Sequence, residues 1–272
     1  MRKKVLRLLI PIYLFCVVVF SFCGCNLMFS QPNYPHPNEY YTEREVSDFV
    51  VYFFTSDTCE IRGTTEQGNT KRFLVIPKQI EDSSVNAFGT QLLMSITVPK
   101  ITSTILEKVF IESEEMRFWQ SGEQPECTNF KKIICLNECS HISTVAGIKV
   151  YYPKLICDNY NQDRPPSIPL IPANVSYYYN YEDAENNGYY WVDDCDYGGR
   201  IEYIPDEPKR EGYEFGGWYK ESECINQWNF QADTLPEEKT EQKETFENGE
   251  SVLTEVTVYQ ETILYAKWIE KS

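Results

Sequence analysis

The chain has 272 residues, 42 % hydrophobic and 15 % aromatic, with 41 acidic against 25 basic side chains and a net charge of −16. That apolar share excludes a fully disordered chain, and the length admits one large domain or two ordinary ones. The acidity excludes a polyanion binder, because nucleic-acid binding rests on Lys and Arg neutralising phosphates.

The cations are concentrated at the start. Arg2, Lys3, Lys4 and Arg7 precede an apolar run from Leu8 to Phe20 broken only by Pro11, and no acid occurs before Glu39. A basic flank followed by a short apolar run predicts a secretory signal over residues 1–24. The run ends in Phe22-Cys23-Gly24-Cys25, which resembles the bacterial lipobox. The resemblance implies cleavage after Gly24 and a diacylglycerol thioether on Cys25, with each buried methylene contributing about 0.8 kcal/mol to anchoring. An uncleaved anchor from Leu8 to Met28 is the competing reading, since it is about long enough to span a bilayer. Without residues 1–24 the charge becomes −20 over 248 residues, and seven cysteines remain besides Cys25. Seven is odd, so they cannot all pair internally, and no disulfide framework is expected. Residues 25–45, with Pro32, Pro35 and Pro37, read as a lipid-anchored tether in which His36 is solvated.

From Val46 to Ile61 the chain reads as strand, with Phe49-Val50-Val51-Tyr52-Phe53-Phe54 at its centre. A repeat then shows itself. Phe73-Leu74-Val75-Ile76-Pro77 is matched by Met94-Ser95-Ile96-Thr97-Val98-Pro99, and Ala87-Phe88 by Val109-Phe110, both at an offset of 22 residues. Such a period falls in the leucine-rich range of about 20–29 residues. These residues resemble the BspA-like leucine-rich repeat, with its Ile-Pro strand end and Ala-Phe core pair. The resemblance covers residues 46–160. It implies a short solenoid continuing through Lys132-Ile133-Ile134-Cys135 and closing at Val150-Tyr151-Tyr152-Pro153 and Leu155 to Tyr160. Its sheet face, Phe73 to Ile76 and Ile96 to Val98, is the expected binding surface. Residues 161–173 carry Pro165, Pro166, Pro169 and Pro172, and read as a stiff linker holding two domains apart.

Beyond it, Val175, Tyr177, Tyr179 and Tyr181 alternate with Ser176, Tyr178 and Asn180 at a strand period. Pro208-Lys209-Arg210-Glu211-Gly212-Tyr213-Glu214-Phe215-Gly216-Gly217-Trp218-Tyr219 follows, and Leu264-Tyr265-Ala266-Lys267-Trp268 comes near the end. This series resembles the Listeria–Bacteroides repeat, the B repeat of internalin-type surface proteins, over residues 174–269. The resemblance implies a small β-grasp-like fold, a spacer or interaction role on a bacterial surface, and no catalysis. Trp218, Trp228 and Trp268 are expected to share a core. An insertion lies between Leu235 and Glu261; its Asn248-Gly249 predicts a hairpin with a type I′ turn.

Other chemistry is thin. Cys135, Cys139 and His141 offer three soft ligands without an obvious fourth, so no metal is expected. Asp193, Asp194 and Asp196 before Gly198-Gly199 lack the ligand spacing of a calcium loop and read as a solvated turn. Glu112, Glu114 and Glu115 read as an exposed charge run. Gly-x-Ser-x-Gly, a P-loop and His-Glu-x-x-His are absent. Leu235-Pro236-Glu237-Glu238 lacks the Thr-Gly of a sortase signal, which favours the N-terminal anchor. Tyr178, Tyr189, Tyr190 and Trp191 are the candidate binding residues, able to stack on sugar rings or anchor a protein.

The fold expected is therefore mainly β: a short leucine-rich-repeat solenoid, then a small β-grasp-like domain. The function expected is that of a non-enzymatic cell-surface lipoprotein presenting interaction modules, with no cofactor. Its partner would be a host or neighbouring-cell surface protein or glycan. A carbohydrate-binding surface protein using the exposed Tyr and Trp side chains is the alternative.

Overall fold

The first strands are β-branched and aromatic and pair as an antiparallel meander: β1 (Tyr41–Val46), β2 (Phe49–Phe54) and β3 (Thr58–Thr64). The computed structural model describes residues 41–272 except 55–56, 89, 93–94, 98–102, 114–116, 120–128, 138–140, 144–147, 164–168 and 248–249. Residues 90–92, 95–97, 117–119, 141–143, 161–163, 245–247 and 250 are described by backbone alone. The expected leader, Cys25, the tether as far as residue 40, Cys139 and Asn248-Gly249 lie outside the described residues.

After β3 the chain alternates between two sheets. β4 (Phe73–Ile76) starts the second sheet; β5 (Gln79–Ile80) and β6 (Ser83–Phe88) return to the first. β7 (Thr90–Leu92) and β8 (Ser95–Thr97) form a separate hairpin. β9 (Lys108–Ile111), β11 (Lys132–Cys135) and β13 (Lys149–Tyr152) join the second sheet, while β10 (Arg117–Trp119) and β12 (His141–Ser143) join the first. A ten-residue helix, α1 (Lys154–Asp163), stands where a closing turn was expected. No helix among the described residues is long and apolar enough to cross a membrane.

The second sheet corrects the expected solenoid. Phe73 pairs with Lys108, Lys108 with Lys132, and Lys132 with Lys149, so the chain returns after 35, 24 and 17 residues. The predicted 22-residue partner of β4, around Ile96, lies instead in the β7–β8 hairpin. Ala87-Phe88 pairs with Arg117-Phe118, not with Val109-Phe110. The sequence similarity at offset 22 is real, but backbone pairing follows the strands that can bury both faces.

That two-sided burial is visible residue by residue. Leu74, Ile76, Val109, Ile111, Ile133, Cys135 and Tyr152 face a core shared with Val51, Ile61, Val85 and Phe88 of the first sheet. Phe73, Val75, Phe110, Ile134 and Tyr151 face a second, aromatic core. A parallel sheet buried on both faces reads as a continuous apolar run, as Phe73 to Ile76 does.

The second core is completed by the C-terminal region. β14 (Ile171–Pro172) adds to the second sheet beside β13, and leads within two residues into β15 (Val175–Tyr178). The third sheet runs β16 (Tyr189–Asp193), β15, β20 (Thr262–Glu270), β17 (Tyr213–Tyr219), with β15 and β20 parallel. Tyr177, Trp191, Trp218 and Trp228 are buried in it, and Trp268 packs against them. The three tryptophans at 218, 228 and 268 thus meet as expected. Gly212 (φ +78°) and Gly217 (φ +102°) occupy the left-handed region, and a Cβ on Gly217 would stand 2.6 Å from the Gln227 side chain. The insertion forms the expected hairpin, β18 (Thr240–Glu247) with β19 (Glu250–Thr257), projecting with Leu253 exposed.

Tyr40–Ser272 is accordingly one compact unit. The Pro-containing segment does not hold two bodies apart; its Ile171–Pro172 end is a strand of the sheet that both cores share.

Candidate functional site

The start of each central strand carries a cation. Lys108, Lys132 and Lys149 are cross-strand neighbours, and Arg72 precedes Phe73 in the same row. Opposite them stands the end of β16. Lys108 Nζ donates to Asp193 and, at 2.9 Å, to the Asp194 carbonyl. Lys132 Nζ lies 2.9 Å from Asp194 Oδ2 and 3.1 Å from Asp196 Oδ1. Arg72 bridges Glu107 and Glu202 at 2.8 and 2.9 Å. Asp193 is fully buried and Asp194 nearly so, which corrects the reading of these two as part of a solvated turn; Asp196 is exposed, at the start of the turn through Gly198-Gly199, as that reading had it. Asp193 also accepts from the Asp194 backbone N–H (2.7 Å) and the Cys195 thiol (3.4 Å). Burial pushes the Asp193 carboxyl up, and Lys108 only partly draws it back. These acids are therefore occupied by lysines. Among the described residues no group of three His, Cys, Asp or Glu is disposed to hold a metal ion. Cys59, Cys157, Cys195 and Cys224 carry free thiols.

The ion pairs cross one end of the seam between the regions and line a cleft of about 710 Å³ there; a second cleft, of about 610 Å³, opens at the other end. Its N-terminal wall includes Lys78, Gln79, Glu112 and Asn137 from the ends of the first two sheets. Its C-terminal wall includes Tyr179, Glu185, Tyr189, Tyr190 and Trp191. Glu112 follows the buried strand β9 directly, so it stands in the cleft and not on an exposed charged face as the sequence suggested. Burial pushes its carboxyl up, against the Lys78 backbone N–H and ammonium, which pull it down. Tyr179 donates to Glu185 Oε1 at 2.8 Å, and Tyr190 to the Asp206 carbonyl at 2.5 Å.

The four candidate aromatics separate. Tyr189, Tyr190 and Trp191 line this cleft, while Tyr178 does not; its ring packs 4.5 Å from Tyr189 and 5.9 Å from Tyr265. Tyr189 and Tyr190 are half-buried. Tyr190 stacks on Trp218 with ring centres 5.7 Å apart. Trp191 is 5 % exposed, stacked on Tyr203 at 5.7 Å, and its indole N–H has no hydrogen-bond partner among the described residues. Asn137 and Lys78 escaped the sequence reading, and Glu112 entered it only as part of a charged run. Only their positions, just beyond the ends of apolar strands, could have suggested a shared rim. The sheet face expected to bind, at Phe73 to Ile76, is covered: Phe73 and Val75 pack into the aromatic core.

Comparison with known proteins bears on the same half of the molecule. No curated protein and no solved structure matches the chain. Residues 175–241 match the Listeria-Bacteroides repeat domain, a surface-associated family. The match begins at the first residue of β15 and ends inside β18, where the inserted hairpin starts. The motif Leu264-Tyr265-Ala266-Lys267-Trp268 lies beyond it, in the strand β20 that pairs with both β15 and β17.

Proposed function

We propose that this chain is a non-enzymatic bacterial cell-surface lipoprotein, held to the membrane by lipid on Cys25, that presents one rigid body for adhesion to a neighbouring surface. The observation that carries the reading is the repeat match over residues 175–241, from a family of surface-associated domains. The basic leader and Gly24-Cys25 support export and anchoring. The shared aromatic core supports display of the two regions as a unit, with binding at the seam in place of the covered sheet face. The strongly negative mature chain favours a soluble, self-repelling surface coat.

The test is made on whole cells expressing the full chain. Mass spectrometry of the mature N-terminus should show diacylated Cys25, and externally added protease should remove the protein from intact cells. An intact Met1 ends the lipoprotein reading. Resistance to protease until lysis ends surface display.

A further inference from the structure

We propose that the seam cleft is a binding site for a neutral oligosaccharide, gripped between the tyrosine wall of the C-terminal region and the polar wall of the N-terminal region. This deepens the surface-adhesion reading by naming its ligand class, and rests on that reading only for biological context.

Four observations carry it. First, Tyr189 and Tyr190 stand in the wall half-buried, with their rings already fixed against Tyr178 and Trp218. A preset ring offers a flat apolar face to a sugar's C–H face at little entropic cost. Second, the facing wall alternates acceptors and donors. Glu112 offers carboxylate oxygens, Asn137 and Gln79 offer amides, and Lys78 an ammonium. A ring of hydroxyls, each both donor and acceptor, needs such a mixture. Asn137 spends one amide proton on the Glu112 carbonyl, which fixes its side chain and leaves its oxygen available. Third, Glu112 is partly desolvated without an opposing side chain that fully offsets the cost, as its raised carboxyl shows. A ligand hydroxyl donating to it would recover that cost. Fourth, two carboxylates, Glu112 and Glu185, face one ammonium in a chain of net charge −16. Sialylated, sulfated and phosphorylated ligands are repelled from such a site. The volume of about 610 Å³ is of the size that small-molecule sites have, roughly 300–1,000 Å³.

The mature full-length protein is applied to an array of neutral oligosaccharides of glucose, galactose, mannose, fucose and N-acetylglucosamine. Sialyl-lactose and an arginine-rich decapeptide serve as contrasting arms. At least one neutral oligosaccharide is expected to bind with a Kd below about 1 mM by calorimetry. Tyr189→Ala and Glu112→Gln should each weaken it at least tenfold, and Leu253→Ala on the remote hairpin should leave it unchanged. Unchanged far-ultraviolet dichroism shows that a variant has folded; Asn137→Ala replaces either one that has not. No neutral oligosaccharide binding, binding that the cleft variants do not alter, or binding of the sialylated or peptide arm alone overturns the proposal. Surface display, tested by protease on intact cells, stands or falls separately.

Discussion

The two halves of this molecule bury opposite kinds of side chain. The N-terminal region closes around aliphatic residues such as Val51, Ile61, Leu74, Ile76 and Ile133. The C-terminal region closes around Tyr177, Trp191, Trp218 and Trp228. The border between them is not a linker but a sheet. Strands β4, β9, β11 and β13 give alternate residues to each core, and Phe110, fully buried, belongs to the aromatic one although its strand neighbours Val109 and Ile111 belong to the other. The contrast teaches that a region assigned to one module by sequence can supply part of another module's core, here Phe110, Ile134 and Tyr151. A short sheet with two apolar faces requires a cover, and the repeat-matching segment supplies it.

The largest effects should come from cutting this border. Phe110 touches Trp191 and Tyr203, with ring centres 5.1 and 4.5 Å away. Phe110→Ala is expected to cost about 3–5 kcal/mol, read as a lowered denaturation midpoint. Its fluorescence transition, dominated by the C-terminal tryptophans, should still coincide with loss of far-ultraviolet dichroism. Separate transitions would mean that the halves fold independently and that the shared core contributes little.

Asp193→Ala attacks the polar part of the same border. Lys108 is 8 % exposed, and removing its partner leaves a buried ammonium facing Phe73 and Phe110. About 3–5 kcal/mol should be lost. The joint replacement Lys108→Met with Asp193→Leu should recover most of this, because a desolvated ion pair adds little over apolar packing of similar size. A double variant as unstable as the single one would show that the charge pair itself, and not the avoidance of a lone charge, holds the seam.

How much of this was legible follows from the range of each signal. The C-terminal motif is dense in aromatics and glycines whose roles are local: Gly212 and Gly217 take positive φ, and Trp218 fills the core next to the bulge. The hairpin was also readable, because its register is set by neighbours in sequence. The register of the parallel sheet was not. Returns of 35, 24 and 17 residues leave no fixed period, and the offset of 22 between Pro77 and Pro99 selected a strand that pairs elsewhere. One neglected sign was the run Phe73-Leu74-Val75-Ile76, apolar at every position where a solvent-facing sheet would alternate. The cleft was half legible. Its tyrosines stood out by type, whereas Glu112 and Asn137 gain their role only from the strand that precedes each one.

The pH dependence sharpens the comparison with a smaller effect. Asp193 and Asp194 both sit above the usual carboxyl range because burial outweighs the pull of Lys108 and Lys132. The folded state then binds more protons than the unfolded one over the interval between 3.8 and each raised value. Their contribution to stability is full below 3.8 and is lost as pH rises through the raised values. Asp193→Asn removes one such group. Relative to the unaltered protein, its unfolding free energy should fall less as pH rises from about 4 to 7. The two curves should lie closest at the acid end, where protonated Asp193 is as uncharged as the asparagine, and separate as pH rises and the carboxyl ionises. A variant whose pH profile runs parallel to the original would place the titration elsewhere.

The smallest effect belongs to the outer edge of the N-terminal region, far from the border. Arg44 reaches Glu81 with two bonds of 3.0 and 2.8 Å, yet both side chains are about half exposed. Water and salt screen such a pair, and fixing two long side chains costs entropy. Arg44 also covers the Phe53 ring at 4.2 Å, so Arg44→Ala loses packing as well as charge, while Glu81→Gln loses charge alone. Glu81→Gln should therefore change stability by less than about 1 kcal/mol, with Arg44→Ala the larger of the two. Raising the salt concentration should shrink the Glu81→Gln effect further and leave most of the Arg44→Ala effect in place. The contrast with Asp193 is one of surroundings: the same pairing of cation and carboxylate matters where removing one partner strands the other in an aromatic core, and little where water replaces it.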